Sequence, residues 1–511
     1  MKMISDYTQK FLNVPPFTVV VTATVILLSI VYCFMRDRGL PPGPRGMPVL
    51  GLYPLLKGEK SYLQLDEYRK TYGDIFSFRL AGQLYINLGS TKIIREVHIT
   101  KAEYFAARYS GFSLLSFSFN DGVPFLNGEP WKVLRKFFLQ VFKDIGMNSL
   151  KDNASGPVYD ALNSITEDFQ NLNGEPIVVI EMLHSKCSNV YRRIMFGENG
   201  ITEQQMRNFT DPYMAILEHI PTNLLLIGKI PQYVNLFEYC NEVKFLPKRG
   251  YSRIITSKRL MENALYDIID EHEKTFEEDH IRNIIDAYFK ERIERRRKGD
   301  YTAKYFTKKA LMASLAQFVA DGLQSVIQLI ATFFAALVNH PEEQDKIYRE
   351  ILEVVGPNRQ PTLEDKSNLP YTNAFIFEVM RTTDFCPYVP SLECTKDATI
   401  KGYRIPKGTI TVTNVWSSHH DSEIYEDPYK FDPTRFIAKG NKARPDLPII
   451  FGVGKRVCMG EAFTMIQVFL FLTTIVKNFR LSSPDGKKCE SPQYTGKLKI
   501  CVHPRLPDEK K

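Results

Sequence analysis

Apolar positions along the chain fall into blocks with different periods. Phe17 to Met35 (FTVVVTATVILLSIVYCFM) contains no charge and is about long enough to cross a bilayer core as a helix. Leu40 to Gly51 (LPPGPRGMPVLG) cannot continue that helix, because proline fixes φ and removes backbone donors; it reads as a stiff spacer. Phe76 to Leu88 (FSFRLAGQLYINL) reads as a strand pair. From Glu129 to Leu352 helical patterns dominate, and Leu311 to Val338 is apolar enough to predict a central buried helix. His340-Pro341 ends it and Glu342-Glu343 opens another. Short strands are expected around Ala398 to Val412, with turns at Gly402, Pro406 and Gly408, and Gly460 to Phe479 is helical again. The pattern predicts a mainly α body with a smaller β-rich part. It divides into an anchor at 1–39, a proline-rich hinge at 40–51 and one catalytic body at 52–511.

Composition narrows the picture. The 511 residues are 44% hydrophobic, ample for a large core, and show no internal repeat. The net charge of +8 suits an acidic protein partner or an anionic membrane surface. Nucleic acid is not expected, since the densest basic run, Glu291 to Lys298 (ERIERRRK), has mixed signs and reads as a solvated helix face. Eight scattered cysteines without a C-x-x-C pattern argue against a disulfide framework or zinc finger and for reduced thiols. A cleaved signal peptide competes for the amino terminus. Phe17 to Met35 is long for one, and Cys33-Phe34-Met35 is a poor cleavage site, so an uncleaved transmembrane anchor is expected.

The most specific segment is Phe451 to Gly460 (FGVGKRVCMG), which leads straight into an apolar helix. Gly454 and Gly460 allow close backbone approach, Arg456 brings positive charge, and Cys458 can offer a thiolate to a haem iron. The segment lacks the third glycine of a dinucleotide loop and the Ser/Thr of a P-loop.

Here the chain resembles the cytochrome P-450 family, whose haem peptide reads F-x-x-G-x-R-x-C-x-G; Phe451, Gly454, Arg456, Cys458 and Gly460 match every fixed position. Glu378-Val-Met-Arg381 is similar to the family's E-x-x-R helix. Phe431 to Phe436 (FDPTRF) resembles its later P-E-R-F segment, with Thr434 where Glu is common. The resemblance implies a buried network of Glu378, Arg381 and Arg435. Trp131 and Arg135 match a W-x-x-x-R helix and, with Arg108 and Arg456, are the residues it implies for the propionates of haem b. It also implies the family's fold, here preceded by the transmembrane helix.

Two departures stand out. The family's central helix carries (A/G)-G-x-(D/E)-T-T, and this chain reads Asp321-Gly322-Leu323-Gln324-Ser325-Val326. Gly322 is kept, Ser325 still offers a hydroxyl, and Gln324 can place water but cannot act as an acid. Gly322, Gln324 and Ser325 are therefore the candidate oxygen-handling residues, with Asp321 close by but not equivalent. Further on, Leu392 stands where a basic propionate partner is common, leaving Arg108, Trp131, Arg135 and Arg456 for that task.

Phe112, Leu114, Leu115, Phe117 and Phe119 suit an apolar pocket, and the apolar stretch Ile220 to Phe237 suits contact with membrane lipid. The chain carries no flavin or nicotinamide motif. The resemblance implies an NADPH-dependent flavoprotein reductase as electron donor, with cytochrome b5 as a second candidate partner. It also implies residence in the endoplasmic reticulum membrane with the body facing the cytosol. The expected activity is monooxygenation of an apolar small molecule. The rivals are a reductase-independent haem isomerase or dehydratase acting on a peroxide, and a non-catalytic haem-binding paralogue.

Overall fold

The computed structural model describes residues 20–21, 24, 38–47, 51–52, 55–56, 60–80, 82–108, 119, 121–147, 156–172, 174–218, 251–438, 445–490 and 498–505. The predicted anchor is described only at isolated positions, and Phe112 to Phe117 and Ile220 to Phe237 lie outside the described residues.

Helices make up most of the described chain: α1 Ser61–Tyr72, α2 Gly128–Asp144, α3 Pro157–Gln170, α4 Val179–Phe196, α5 Glu203–Glu218, α6 Tyr251–Lys274, α7 Ile284–Arg297, α8 Lys308–Asn339, α9 Pro341–Val355, α10 Pro370–Thr382 and α11 Glu461–Asn478. The strands are β1 Ile75–Leu80, β2 Gln83–Leu88, β3 Ala107–Arg108, β4 Ile177–Val178, β5 Tyr388–Glu393, β6 Ala398–Ile400, β7 Tyr403–Ile405, β8 Ile410–Asn414, β9 Phe479–Ser482 and β10 Lys499–Pro504. The mainly helical body with a smaller β part thus matches the hydrophobic pattern.

Helix α8 is the axis of the body and packs against α4 and α11. Thr307 opens it by accepting the Ala310 N–H on its side chain, and Pro341 at the first position of α9 follows its end. Helix α11 is buried on nearly every side, as a helix apolar all round should be. The start of α10 is satisfied from a neighbour: the Glu350 carboxylate accepts the Tyr371 and Thr372 backbone N–H groups at 2.7 and 2.8 Å.

Periodicity predicts a central buried helix over Leu311 to Val338. The structure differs in one place, where Gln317–Asp321 forms a π-turn within α8. At that place Gln317 Nε2 donates to the Phe119 carbonyl (2.9 Å), and the Val123 N–H donates to Ser314 Oγ (3.2 Å). Tertiary bonds of this kind leave no trace in hydrophobic spacing.

The larger sheet has the order β1-β2-β8-β5-β3. Strand β8 is buried along its length and pairs parallel with β2, so chain ends of the helical region are brought together. The β6–β7 hairpin turns through Lys401 and Gly402, both at positive φ (45° and 82°), which suits the twist of a two-residue hairpin.

The predicted ion network forms between α10 and the segment after it. Glu378 meets Arg381 through two hydrogen bonds of 2.8 Å and Arg435 Nε at 3.2 Å, and Glu378 and Arg381 are both fully buried. Arg381 also donates to the carbonyls of His419, Pro428 and Lys430, and Arg435 to those of Glu426 and Lys430. Buried charge is tolerated here because its hydrogen-bonding needs are met. His419, which the sequence did not single out, extends the network. Its Nε2 accepts the Ile449 N–H at 2.9 Å, at the entrance to the Cys458 turn.

Glu378→Ala leaves two guanidiniums without a counter-charge. It is expected to cost about 3–5 kcal/mol in urea unfolding of the full chain, whereas a surface pair would lose under about 1 kcal/mol.

Burial pushes His419 from 6.5 down to about 3, with the charges of His420 and Arg381 adding to the effect. Between those values the unfolded chain binds a proton that the folded chain refuses. Stability is therefore full above about pH 6.5 and falls as pH drops through the window. His98 and His420, both pushed down to about 4 mainly by burial, act with the same sign. Urea midpoints are expected to fall from about pH 7 to about pH 5, and His419→Gln, which keeps an acceptor without titrating, to flatten the slope. An unchanged slope would acquit His419.

Candidate active site

The Cys458 turn is held by its own backbone. The Cys458 N–H donates to the Phe451 carbonyl (2.9 Å), Gly452 N–H to Ile449 (2.8 Å) and Val457 N–H to Gly454 (3.2 Å). Gly454 is required twice over. Its φ is 77°, and a Cβ there would lie 2.1 Å from the His98 carbonyl oxygen. The turn thus docks backbone to backbone on the segment Glu96–Thr100. Burial pushes the Cys458 thiol up, opposed first by the Gly460 N–H and then by the charge of Arg135. Cys458 is exposed and lies just before the first turn of α11.

Beside it the structure gathers the four predicted donors. Arg456 lies 3.9 Å from the Trp131 ring centroid, and Arg135 lies 5.9 Å from the same ring. Each arginine is fixed by carbonyls. Arg456 donates to Ala106 and Leu126, Arg108 to Pro124 and Pro390, and Arg135 to Val457. None of the three is ion-paired with a carboxylate among the described residues. Burial, reinforced by mutual repulsion, pushes Arg108 down to about 10 and Arg456 to about 9. No carboxylate is among the charges acting on either. Trp131 Nε1 and Arg456 Nη1 are buried donors without an acceptor among the described residues. Buried donors and unneutralised positive charge next to a thiol fit a group that carries carboxylates and a metal centre.

Sequence reasoning missed Asn127. Its Oδ1 accepts from the Arg108 backbone N–H (2.7 Å) and from Arg456 Nη2 (2.9 Å), and its Nδ2 donates to the Arg108 carbonyl (2.8 Å). It ties two arginines from distant segments, a role no local pattern signals. Leu392 is buried in β5, and the neighbouring Pro390 carbonyl holds Arg108, so this strand positions an arginine instead of supplying one.

Across the site lies α8. Gly322 sits against Tyr191: a Cβ there would meet the Tyr191 ring at 3.0 Å. Gln324 and Ser325 are half-buried, and neither side chain hydrogen-bonds another described residue. Asp321 reaches the same space, and its charge is felt at Cys458 and Cys386.

A family model described as Cytochrome P-450 matches residues 41–507. Cytochrome P-450 2J1 of Oryctolagus cuniculus is 28% identical over 501 residues, covering 94% of this chain and 96% of that protein. Cytochrome P-450 2B2 of Rattus norvegicus is 31% identical over 466 residues, with 89% and 91% covered. Cytochrome P-450 2B19 of Mus musculus is 31% identical over 453 residues, with 87% and 88% covered. A turn that presents one thiol beside four anion-seeking donors, on a helical body of this order, defines a haem-thiolate monooxygenase. The chain belongs to the cytochrome P-450 family, whose cofactor is haem b.

Trp131→Phe keeps the ring under Arg456 and removes one donor; it is expected to cost about 1 kcal/mol of haem retention. Arg456→Leu is expected to cost about 2–3 kcal/mol. Rates of haem transfer to an acceptor protein measure both, and wild-type rates in both variants would make these residues packing only.

Proposed function

We propose that this chain is a microsomal monooxygenase that inserts one oxygen atom of O2 into an apolar small molecule, by hydroxylation or epoxidation. The supporting observation is the Cys458 turn beside Trp131, Arg108, Arg135 and Arg456, with these three arginines held by backbone carbonyls and paired with no described carboxylate. In this reading the Cys458 thiolate would hold the haem iron, and Trp131, Arg108, Arg135 and Arg456 would hold its propionates. When bound, haem b supplies dioxygen binding and activation, with the thiolate pushing electron density to the iron. Ser325 Oγ would offer a hydroxyl to the site from α8, and Gln324 would orient water through its amide.

Electrons have to arrive from outside. Lys132, Arg135, Lys136 and Lys455 border a groove of about 520 Å³ on the Cys458 side of α2. Its charge suits an acidic docking face, as expected of an NADPH-dependent flavoprotein reductase and of cytochrome b5 as a second partner. Phe119, buried and stacked on Tyr213 at 4.8 Å, supports an apolar pocket wall. The uncharged span Phe17 to Met35 supports anchoring in the endoplasmic reticulum membrane, with the body in the cytosol and substrate drawn from lipid.

Reduced haem-loaded protein under carbon monoxide is expected to show the red-shifted Soret band of thiolate ligation, and Cys458→His to lose it. A folded, haem-loaded wild type without that band would sink the Cys458 assignment. Product that depends on reductase and NADPH separates this reading from peroxide rearrangement, which needs neither.

A further inference from the structure

Asn127 stands at the position that opens α2, where an asparagine ordinarily turns its side chain onto the first free N–H groups of the helix. Its backbone there is extended, as a cap requires (φ −122°, ψ 166°), yet its side chain makes no capping bond. The amide is spent instead on Arg108 of β3, at the edge of the larger sheet, and on Arg456 of the Cys458 turn. A residue that breaks its local rule without local benefit points to a role beyond its own helix.

The bonds call for a primary amide. Oδ1 accepts the Arg108 backbone N–H and an Nη2 hydrogen of Arg456, while Nδ2 donates to the Arg108 carbonyl. A carboxylate would meet that carbonyl with a second oxygen, and an apolar side chain would leave all three groups open. Strand β3 pairs with β5 on its other side, so the amide serves Arg108 as a further strand would. Arg456 donates from Nε to Ala106 at 2.7 Å, and from Nη2 to Leu126 at 2.8 Å and to Asn127 at 2.9 Å. These bonds fix the guanidinium plane. Nη1 is left over, buried and without an acceptor among the described residues, as is Trp131 Nε1. Asn127 also begins the helix that carries Trp131 and Arg135. One neutral side chain therefore joins the three segments from which the four donors come.

We propose that Asn127 is a positioning residue for haem binding: its amide sets the register of Arg108, Arg456 and the start of α2, and its neutrality leaves both guanidinium charges to the propionates. The proposal rests on the reading that Trp131, Arg108, Arg135 and Arg456 would hold those propionates. An aspartate at this position would keep the shape and accept from both donors. It would also set a competing negative charge between the two arginines and lose the bond to the Arg108 carbonyl. An alanine removes the tie and adds no charge.

The test uses the full chain and its Asn127→Ala and Asn127→Asp variants, each loaded with haem b or with haem dimethyl ester, in which the propionate charges are masked. With the thiolate Soret band retained, haem b should transfer to an acceptor protein on the order of 10-fold faster from Asn127→Ala than from wild type, and faster still from Asn127→Asp. The dimethyl ester should leave all three proteins at one rate, itself faster than haem b leaves wild type. If Asn127→Ala does not fold, Asn127→Asp carries the comparison, since it preserves the side chain's volume. Release of haem b from the variants at the wild-type rate, or the same acceleration with the ester, overturns the positioning role and makes Asn127 a packing residue. A wild type that holds the ester as firmly as haem b overturns the propionate reading, and the proposal with it.

Discussion

One buried carboxylate, Glu378, ties together the chain that leads into the Cys458 turn. Glu378 neutralises Arg381 and Arg435, which lets both bind the backbone carbonyls of the segment from His419 to Lys430. That segment carries His419, whose ring holds Ile449 at the mouth of the cysteine turn. A network of this kind contributes little when compared with an apolar core of equal volume. Its value here is geometric. It fixes three distant stretches of chain in one register, and the turn inherits that register.

The two faces of the site are built on opposite terms. On the Cys458 face, carbonyls and Asn127 satisfy most arginine donors, and what is left over points to a dianionic ligand. Rigid backbone does the holding, through Gly454 against His98 and Val457 against Arg135. On the α8 face, Gln324 and Ser325 have no side-chain hydrogen-bond partner among the described residues. Unsatisfied groups that stabilise nothing are characteristic of places where water and protons are handled. The Cys458 face is thus stiffly hydrogen-bonded, and the α8 face carries fewer side-chain bonds among the described residues.

Much of this was legible from residue order. The strand pair at Ile75–Leu88, the central helix, the helix behind the cysteine turn and the Glu378 network all follow from local signals: apolar period, glycine in a tight turn, and charges three apart on one helix face. Such signals act between near neighbours, and short sequence windows contain them.

Tertiary structure decided the rest. Asn127 clasping Arg108 and Arg456, His419 reaching Ile449, Glu350 closing the start of α10, and the π-turn at Gln317–Asp321 each join residues far apart or depend on such a junction. The sequence by itself determined which residue could bind iron, because thiol, glycine and arginine chemistry is local. Which residues meet around that cysteine was decided only by the fold, because Asn127, Arg108 and Arg456 come from segments far apart in the chain.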